Sequence, residues 1–453
     1  MKLLLTIFLA VAAQAAELRV GRAAVSITPP PGIPMAGYYS IRLAEGTHDD
    51  LYAKAIVLEV DGSKAALVAC DVVALEEDQV TAARAAIEKL TGIRGENVIL
   101  SATHSHTGPL LRRNFLAAVT GKPLEIANQY LAALPQRIAE SVKLADADRQ
   151  PARAWAGTGR EEALSFNRRF FLKDGSVKTN AGKMNPDIVK PTGPIDPDVA
   201  VVYFDTPAAK PLATYVNFAM HLDTVGGAQF SSDYAYTLAR LLGKIKGPEM
   251  LTVFTIGAAG NINHIDVKSR APQKGHGEAE RIGTILAGEV IKTYARLQPL
   301  PIASIGVGRE IVKLDLPRFT PAEVEKARTI VAQFGKPKAP GTLQQSEAFK
   351  LIDVANRDGR PMAGEVTVIS LGADLAFVGL PGEIFTELGL SVKLASPFRH
   401  TIVSELSGGW IGYVPNRRAY SEGGYEVVSA RCAAGSGEAM AESAIRLLTS
   451  LRH

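Results

Sequence analysis

Hydrophobic and polar positions follow two alternating patterns along this chain. Short runs rich in β-branched residues, such as LYAKAIVLEVDG and KAALVACDVVAL, are typical of strands, and the turn Asp61-Gly62-Ser63 between them predicts a strand pair. A longer segment, EDQVTAARAAIEKLTG, has apolar residues at helical spacing and ends on Gly92. The same alternation continues to the C-terminus. It predicts an α/β fold of layered mixed sheets with flanking helices.

The other predicted elements follow the same two patterns. Strands are predicted in NVILSATHSH, PDVAVVYFD, ATYVNFAMHLD, LTVFTIGAAGNINH, residues 303–316, VTVISLG, LAFVGLPGEIF and HTIVSELSGGWIGYVP, and helices over 128–144, 279–297, 321–334 and GEAMAESAIRLLTSL. A polar Pro/Gly-rich loop over 335–343 is the expected site of an inserted or mobile element. The sequence has no internal repeat and no interdomain linker, so we expect residues 17–453 to form a single large domain.

The N-terminus has the pattern of a secretory signal peptide. Residues 1–16, MKLLLTIFLAVAAQAA, place one lysine before an apolar stretch and end in small residues. The alternative is a membrane anchor, but the apolar stretch is shorter than the roughly 20 residues that a spanning helix needs. We therefore expect cleavage near Ala16 and a secreted or periplasmic protein.

Composition and charge exclude some classes of partner. The chain of 453 residues has 50 Lys and Arg against 46 Asp and Glu, a net charge of +4, and no long basic run. Nucleic-acid binding requires a denser basic face, so we do not expect it. The two cysteines, Cys70 and Cys432, have no neighbouring histidine or basic residue in sequence, which favours buried thiols over a catalytic cysteine. Whether they pair is left open.

Histidines supply the first candidate chemistry. Of the eight in the chain, His104, His106, His221 and His264 lie where predicted strands run into loops, the usual place for sites in layered α/β proteins. His104 and His106 are two apart, so on an extended segment both imidazoles face the same side. An isolated pair of this kind is also compatible with two solvated loop histidines.

An ordered series of motifs places these histidines in a wider context. The series is VGRAAVSITPP, GTHDDLYAKAIVLE, NVILSATHSHTGP, FNRR, VNFAMH with SSDY, GAAGNINH, LPGEIFTELG and GYVPNRRAYSEGGYEV. In its order and spacing the chain resembles the catalytic domain of the neutral, non-lysosomal ceramidase family, and NVILSATHSHTGP is the most specific of the motifs. The resemblance covers most of residues 17–453.

The resemblance implies a zinc amidase with one catalytic Zn²⁺. It places the four metal ligands at His104, His221, Glu383 and Tyr413. Imidazole and carboxylate donors that leave one position open are typical of a catalytic zinc site. Tyrosinate is an unusual donor because the ordinary tyrosine pKa is about 10, and Tyr420 and Tyr425 lie close by as alternatives. Taken singly, each ligand is also compatible with a structural role.

The resemblance also assigns residues around the metal. His106 and Arg168 would face the substrate carbonyl and stabilise the developing oxyanion; Arg169 is an alternative to Arg168, and a surface salt bridge is an alternative role for Arg168. The family carries a catalytic serine where this chain has Asn263. Asparagine cannot act as an acylated nucleophile, but its amide can donate a hydrogen bond, which favours direct attack by water.

The expected function is therefore an exported zinc-dependent amidohydrolase that cleaves an N-acyl amide bond by metal-activated water. The substrate would be ceramide-like or another small-molecule or lipid N-acyl compound, with possible peripheral membrane contact through loops, since no basic amphipathic helix is evident. One alternative, favoured by Asn263, is a catalytically silent ceramidase-like protein that binds metal or ligand. Another is a hydrolase for a phosphoester or glycoside, which a small polar pocket would favour.

Overall fold

The protein is described here by a computed structural model over residues 17–452. The predicted signal peptide, residues 1–16, lies outside the described residues. Within them the chain is built from both helices and strands, the strands forming several mixed sheets. The α/β prediction is confirmed.

The helices and strands have the following bounds. The helices are α1 (Glu77–Thr91), α2 (Arg113–Leu116), α3 (Lys122–Ala147), α4 (Tyr234–Lys246), α5 (His276–Tyr294), α6 (Pro321–Val331), α7 (Thr342–Ala355), α8 (Thr386–Ala395), α9 (Arg417–Glu422), α10 (Tyr425–Ser429) and α11 (Ser436–Ser450). The strands are β1 (Leu18–Ser26), β2 (Pro34–Met35), β3 (Arg42–Leu43), β4 (Gly46–Thr47), β5 (Tyr52–Val60), β6 (Ser63–Cys70), β7 (Val98–Ala102), β8 (Gln150–Pro151), β9 (Arg153–Arg160), β10 (Phe166–Asn167), β11 (Arg169–Leu172), β12 (Val177–Thr179), β13 (Ile188–Pro191), β14 (Asp198–Asp205), β15 (Pro211–Phe218), β16 (Gln229–Phe230), β17 (Leu251–Ile256), β18 (Ile262–Asn263), β19 (Gln298–Leu300), β20 (Ile305–Leu314), β21 (Met362–Leu371), β22 (Leu375–Gly379), β23 (Glu383–Ile384), β24 (His400–Ser404) and β25 (Tyr413–Val414).

Three mixed sheets share one strand order. The first is β7-β6-β5-β1-β8, the second is β17-β15-β14-β9-β19, and the third, written from its other edge, is β24-β22-β21-β20. In each, three antiparallel strands are joined by a fourth that runs parallel to its neighbour: β7 beside β6, β17 beside β15, and β24 beside β22. Each parallel pair is connected by a helix, as parallel strands require.

The chain therefore repeats one order of elements three times: three antiparallel strands, a helix, a parallel strand and a second helix. The helix pairs are α1 with α3, α4 with α5, and α8 with α11. In each repeat an insertion follows the first strand: residues 27–51, residues 161–197, and residues 315–361, which hold α6 and α7. The expectation that there is no repeat fails for the topology. The repeat is not visible in the sequence because a hydrophobic pattern specifies elements and not their pairing.

The three sheets pack around a common apolar core. It contains Val20 and Ile56 from the first sheet, Val202 and Tyr215 from the second, and Phe377 from the third, all buried. The helix pairs cover the opposite faces of the sheets. Strands such as β6 and β22 are thus buried on both faces, which accounts for their nearly continuous apolar runs.

Local turn signals predicted several boundaries correctly. Asp61 and Gly62 both have positive φ, 48° and 79°, as a two-residue hairpin turn of the favoured type needs. Helix α1 ends at Gly92, whose φ of 72° makes the left-handed cap. Helix α3 extends beyond the predicted 128–144 at both ends, and Pro135 lies inside it. Residues 332–341 connect α6 to α7 within the third insertion, so the last two residues of the predicted loop over 335–343 belong to α7.

Two further sequence features have a clear structural outcome. Cys70 and Cys432 are both buried and free, as buried thiols would be. None of the helices in residues 17–452 is both long and apolar enough to span a bilayer.

The contact between α4 and α5 allows a stability prediction with an internal control. A Cβ at Gly283 of α5 would come within 2.5 Å of the Tyr234 carbonyl oxygen, whereas a Cβ at Gly288 of the same helix meets nothing within 4 Å. We expect Gly283→Ala to lower the free energy of unfolding by about 1–3 kcal/mol through overpacking. Gly288→Ala should raise it by up to ~1 kcal/mol through helix propensity. Denaturant unfolding measures both, and equal effects would contradict this packing.

Candidate metal centre

The segments that follow one strand of each repeat meet at a single point. His104 follows β7, His221 follows β15, and Glu383 follows β22. All three side chains are buried, with relative exposures of 2%, 1% and 4%. In each sheet, one strand of the parallel pair ends at the same edge of the core. Residues that are far apart in sequence therefore lie close together.

Backbone carbonyls fix the orientation of both histidines. The Nδ1 atom of His104 bonds the Val73 carbonyl at 2.8 Å, and that of His221 bonds the Ala259 carbonyl at 3.0 Å. A ring whose Nδ1–H donates to a carbonyl presents the lone pair of its Nε2. His104 also has a φ of 72°, a costly conformation for a residue with a side chain, and its N–H is held by the Val72 carbonyl.

The Glu383 carboxylate faces the Nε2 atoms of His104 and His221. Its Oε2 lies 3.5 Å from His104 Nε2 and 3.4 Å from His221 Nε2, and it has no hydrogen-bond partner in the described part of the chain. Its Oε1 accepts a hydrogen bond from the Trp410 indole at 3.2 Å. Burial raises the pKa of Glu383, but His104, His221 and Tyr413 together hold it below its usual range. A buried, unbonded carboxylate oxygen between two imidazole lone pairs fits a cation.

Tyr413 is placed beside Glu383 by strand pairing. Strands β23 and β25 are parallel with Glu383 opposite Tyr413. The Tyr413 hydroxyl accepts a hydrogen bond from Arg168 Nη2 at 3.0 Å. Burial raises the pKa of Tyr413 well above its usual value even though Arg168 lowers it, so ionisation of this phenol would need a bound cation.

His106 is the third imidazole of the cluster. Its Nε2 lies 3.2 Å from His104 Nε2, and donor atoms of His104, His106 and His221 lie within 4.8 Å of one another, so these histidines can hold a metal ion. Its other nitrogen, Nδ1, faces Asp223 Oδ1 at 3.7 Å. Burial lowers the pKa of His106 to about 4, which leaves its imidazole neutral at pH 7.

Arg168 is buried in the centre and not on the surface. Its Nε pairs with Glu426 Oε1 at 2.8 Å, and its Nη2 bonds the Gly260 carbonyl at 2.8 Å. Its Nη1 lies 3.1 Å from His221 Nε2. Burial opposes the charge, but Tyr413 and Glu426 raise the pKa of Arg168 above its usual value, so the guanidinium stays charged. Arg169, the alternative, instead bonds the Gly423 carbonyl.

Asn263 is engaged with its own surroundings. Its Nδ2 donates to Asn180 Oδ1 at 2.8 Å, and its Oδ1 accepts from the Ile265 N–H at 3.0 Å. It lies in the two-residue strand β18, opposite Phe166. Its amide thus orders the loop after β17, and its catalytic assignment stays a prediction.

Sequence reasoning missed the residues that hold the centre in place. Trp410 bonds Glu383, Glu426 neutralises Arg168, and Asp223 faces His106. Asp223 follows His221 by two positions, a spacing like that of His104 and His106, and this was the one available signal. The contacts of Glu426 and Trp410 join distant segments, which no local pattern reveals.

Two cavities open on the cluster. The inner cavity, about 90 Å³, reaches from His104, His106 and Glu383 to an apolar wall of Val73, Ala74, Leu110 and Phe115, and to Arg112, Trp410 and Arg431. The outer cleft, about 580 Å³, is bordered by Tyr38, Lys178, Asn180, Asp223, Leu343 and Tyr425. Residues from all three insertions line this cleft, so the insertions determine what reaches the centre.

Glu405 supports the backbone behind two of the candidate ligands. Its fully buried Oε2 accepts hydrogen bonds from the N–H groups of Ala259, at 3.1 Å, and Ile384, at 2.6 Å. The Ala259 carbonyl orients His221, and Ile384 follows Glu383 directly. Burial and the charge of Glu383 raise the pKa of Glu405 well above its usual range, which favours the neutral carboxyl.

We expect Glu405→Ala to weaken zinc binding by about 10–100-fold, because both backbone segments lose their anchor. Glu405→Gln should bind zinc nearly as well as the wild type, since its amide oxygen can accept both N–H groups and is likewise uncharged. Calorimetric zinc titration of the folded variants measures both affinities. Wild-type affinity in Glu405→Ala would contradict this anchoring role.

Comparisons with known proteins identify the fold. The neutral ceramidase from Pseudomonas aeruginosa matches with a TM-score of 0.75 at 19% identity, over 97% of this chain and 75% of that chain. A ceramidase complexed with C2 matches with a TM-score of 0.76 at 19% identity, over 96% of this chain and 75% of that chain. No protein-family model and no curated protein sequence matches the chain. The fold implied by the motif series is confirmed: the chain has a neutral-ceramidase-like fold.

Proposed function

We propose that residues 17–453 form an exported zinc-dependent amidohydrolase that cleaves an N-acyl amide bond. The observation that carries the proposal is the buried Oε2 of Glu383, without a hydrogen-bond partner among the described residues and within 3.5 Å of two imidazole nitrogens. Zinc accepts this donor chemistry. Similarity to ceramidases in fold adds support, and the secreted or periplasmic location is part of the same proposal.

The four residues that would hold zinc are His104, His221, Glu383 and Tyr413. Zinc bound there supplies a Lewis acid for the substrate carbonyl and lowers the pKa of a water molecule toward ~7. The two carbonyl-anchored histidines keep their Nε2 atoms in position without rotating. Such fixed ligands reduce the reorganisation that metal binding requires.

Arg168 and His106 would act on the substrate. Arg168 keeps a full positive charge in a buried site because Glu426 holds it, so it can stabilise negative charge on the carbonyl oxygen more strongly than it could in water. His106 is neutral and lies between the centre and Asp223, where it can hold a proton for the departing amine. Asn263 leaves no serine to be acylated at that position, so water attacks the amide directly.

One observation favours the catalytically silent alternative. Arg168 Nη1 lies 3.1 Å from His221 Nε2, the atom that would bind zinc. A guanidinium that kept this hydrogen bond would prevent His221 from coordinating the metal. The phosphoester or glycoside alternative is less favoured because the wall of the inner cavity is apolar.

Loss of one ligand should abolish activity selectively. We expect the wild-type protein to bind about one zinc per chain and to release acid from N-acyl amides. His104→Ala should lower kcat/KM by about 100-fold or more, together with zinc content. The matched control is His400→Ala, because His400 begins β24 and lies outside the cluster.

Metal analysis and acid release on the same preparations measure these effects. Activity that survives His104→Ala would contradict the proposed mechanism. Stoichiometric zinc without hydrolysis of any N-acyl amide would instead support the silent alternative.

A further inference from the structure

The inner cavity and the outer cleft meet at the metal centre. Both are bordered by His106, Tyr413 and Tyr425. A substrate whose amide carbonyl lies at the centre can therefore extend one side into each space. The two spaces differ in size and in chemistry, so they discriminate between the acyl and amine sides of the substrate.

The inner cavity suits a small apolar group. Its wall next to the cluster is made by Val73, Ala74, Leu110 and Phe115, and its volume is about 90 Å³. An apolar cavity of about 150 Å³ holds one benzene molecule, so this one admits a group of about four carbons. A long acyl chain exceeds that volume several times over.

Arg112, Arg431 and the Trp410 indole also line the inner cavity. The guanidinium carbons of Arg112 and Arg431 lie 3.9 Å and 4.4 Å from the centre of the Trp410 ring. Asp353 pairs with both arginines, at 3.3 Å and 2.7 Å. Glu76 lies 3.7 Å from Arg112, so two carboxylates face the two guanidiniums, and opening this cluster to admit a longer chain would separate these ion pairs.

The outer cleft suits a larger polar group. Asp223 faces the cleft with 27% of its side chain exposed, and it accepts a hydrogen bond from Tyr38 at 2.6 Å. Lys178 and Asn180 also border the cleft, which is about 580 Å³ in volume. These side chains can bond hydroxyl or amino groups of an amine, so the acyl group lies inward and the amine outward.

We propose that the substrates of this chain are short-chain N-acyl amides, with acyl groups no larger than about butyryl in the inner cavity and a larger polar amine in the outer cleft. The proposal rests on the N-acyl amidase function proposed above and specifies its substrate class. Leu110 and Ala74 are the residues that set the acyl limit.

The test is an acyl-length series on one polar amine, such as N-acetyl, N-butyryl, N-octanoyl and N-palmitoyl glucosamine. We expect kcat/KM to fall by about 100-fold or more between butyryl and octanoyl, the scale of discrimination when a group does not fit an apolar pocket. Palmitoyl cleavage at or above the butyryl rate would overturn the proposal.

Variants of the cavity wall test which residues set the limit on acyl length. The measurement is the ratio of kcat/KM for two substrates on one preparation, which does not depend on the fraction of protein that is folded. Leu110→Ala enlarges the cavity and should raise the octanoyl-to-butyryl ratio by about 10-fold. Ala74→Val fills it and should lower the butyryl-to-acetyl ratio. Leu394→Ala, 90% exposed on α8, is the apolar control and should change neither ratio.

If both cavity variants left the two kcat/KM ratios unchanged, the placement of the acyl group in the inner cavity would be overturned. It would also be overturned if the variants changed the preference for the amine and left the preference for acyl length unchanged. Failure of the proposed function has a different signature. In that case no member of the series is hydrolysed by the zinc-loaded protein, whatever its acyl length.

Discussion

The rest of the site depends on one buried carboxylate oxygen. Oε2 of Glu383 lies within 3.5 Å of the Nε2 atoms of His104 and His221, removed from solvent and without a hydrogen bond among residues 17–452. Burying an unpaired charge is expensive, and a protein tolerates it where a cation or a reaction uses it. The two carbonyl-anchored rings and the Trp410 indole hold these three groups toward one another.

The repeated topology explains how that point is assembled. Each repeat contributes one parallel strand pair, and the exits of β7, β15 and β22 supply His104, His221 and Glu383 in turn. Because the three sheets share one core, their packing sets the relative positions of the strand ends that carry these side chains. Residues of the insertion after the first strand of each repeat border the outer cleft, so the sheets and these bordering insertions are separate parts of the chain.

The sequence predicted elements far better than it predicted their assembly. Apolar runs and turn residues located β5, β6, α1 and α11 closely, since these signals are local. Helices α4, α7 and α8 were not predicted, because α4 and α8 begin inside the SSDY and LPGEIFTELG motifs and α7 begins inside the predicted loop over 335–343. The helix α3 was predicted too short at both ends. Threefold repetition could not be predicted because strand pairing leaves no trace in hydrophobic spacing.

For the site, the motif series brought His104, His106, Arg168, His221, Glu383 and Tyr413 into consideration, and the structure gathers all six. The supporting contacts could not be predicted, since Glu426 lies 258 positions from Arg168 and Glu405 acts through backbone N–H groups. A polar side chain that serves a distant backbone carries no recognisable motif. Buried polar networks of this kind are found only from coordinates.

The most direct test of this account is X-ray absorption at the zinc edge on the zinc-loaded protein. The account predicts only nitrogen and oxygen ligands at about 2.0–2.2 Å, with scattering from two imidazole rings, and loss of one ring in His221→Ala. A spectrum with sulfur at about 2.3 Å, or one unchanged by His221→Ala, would contradict it.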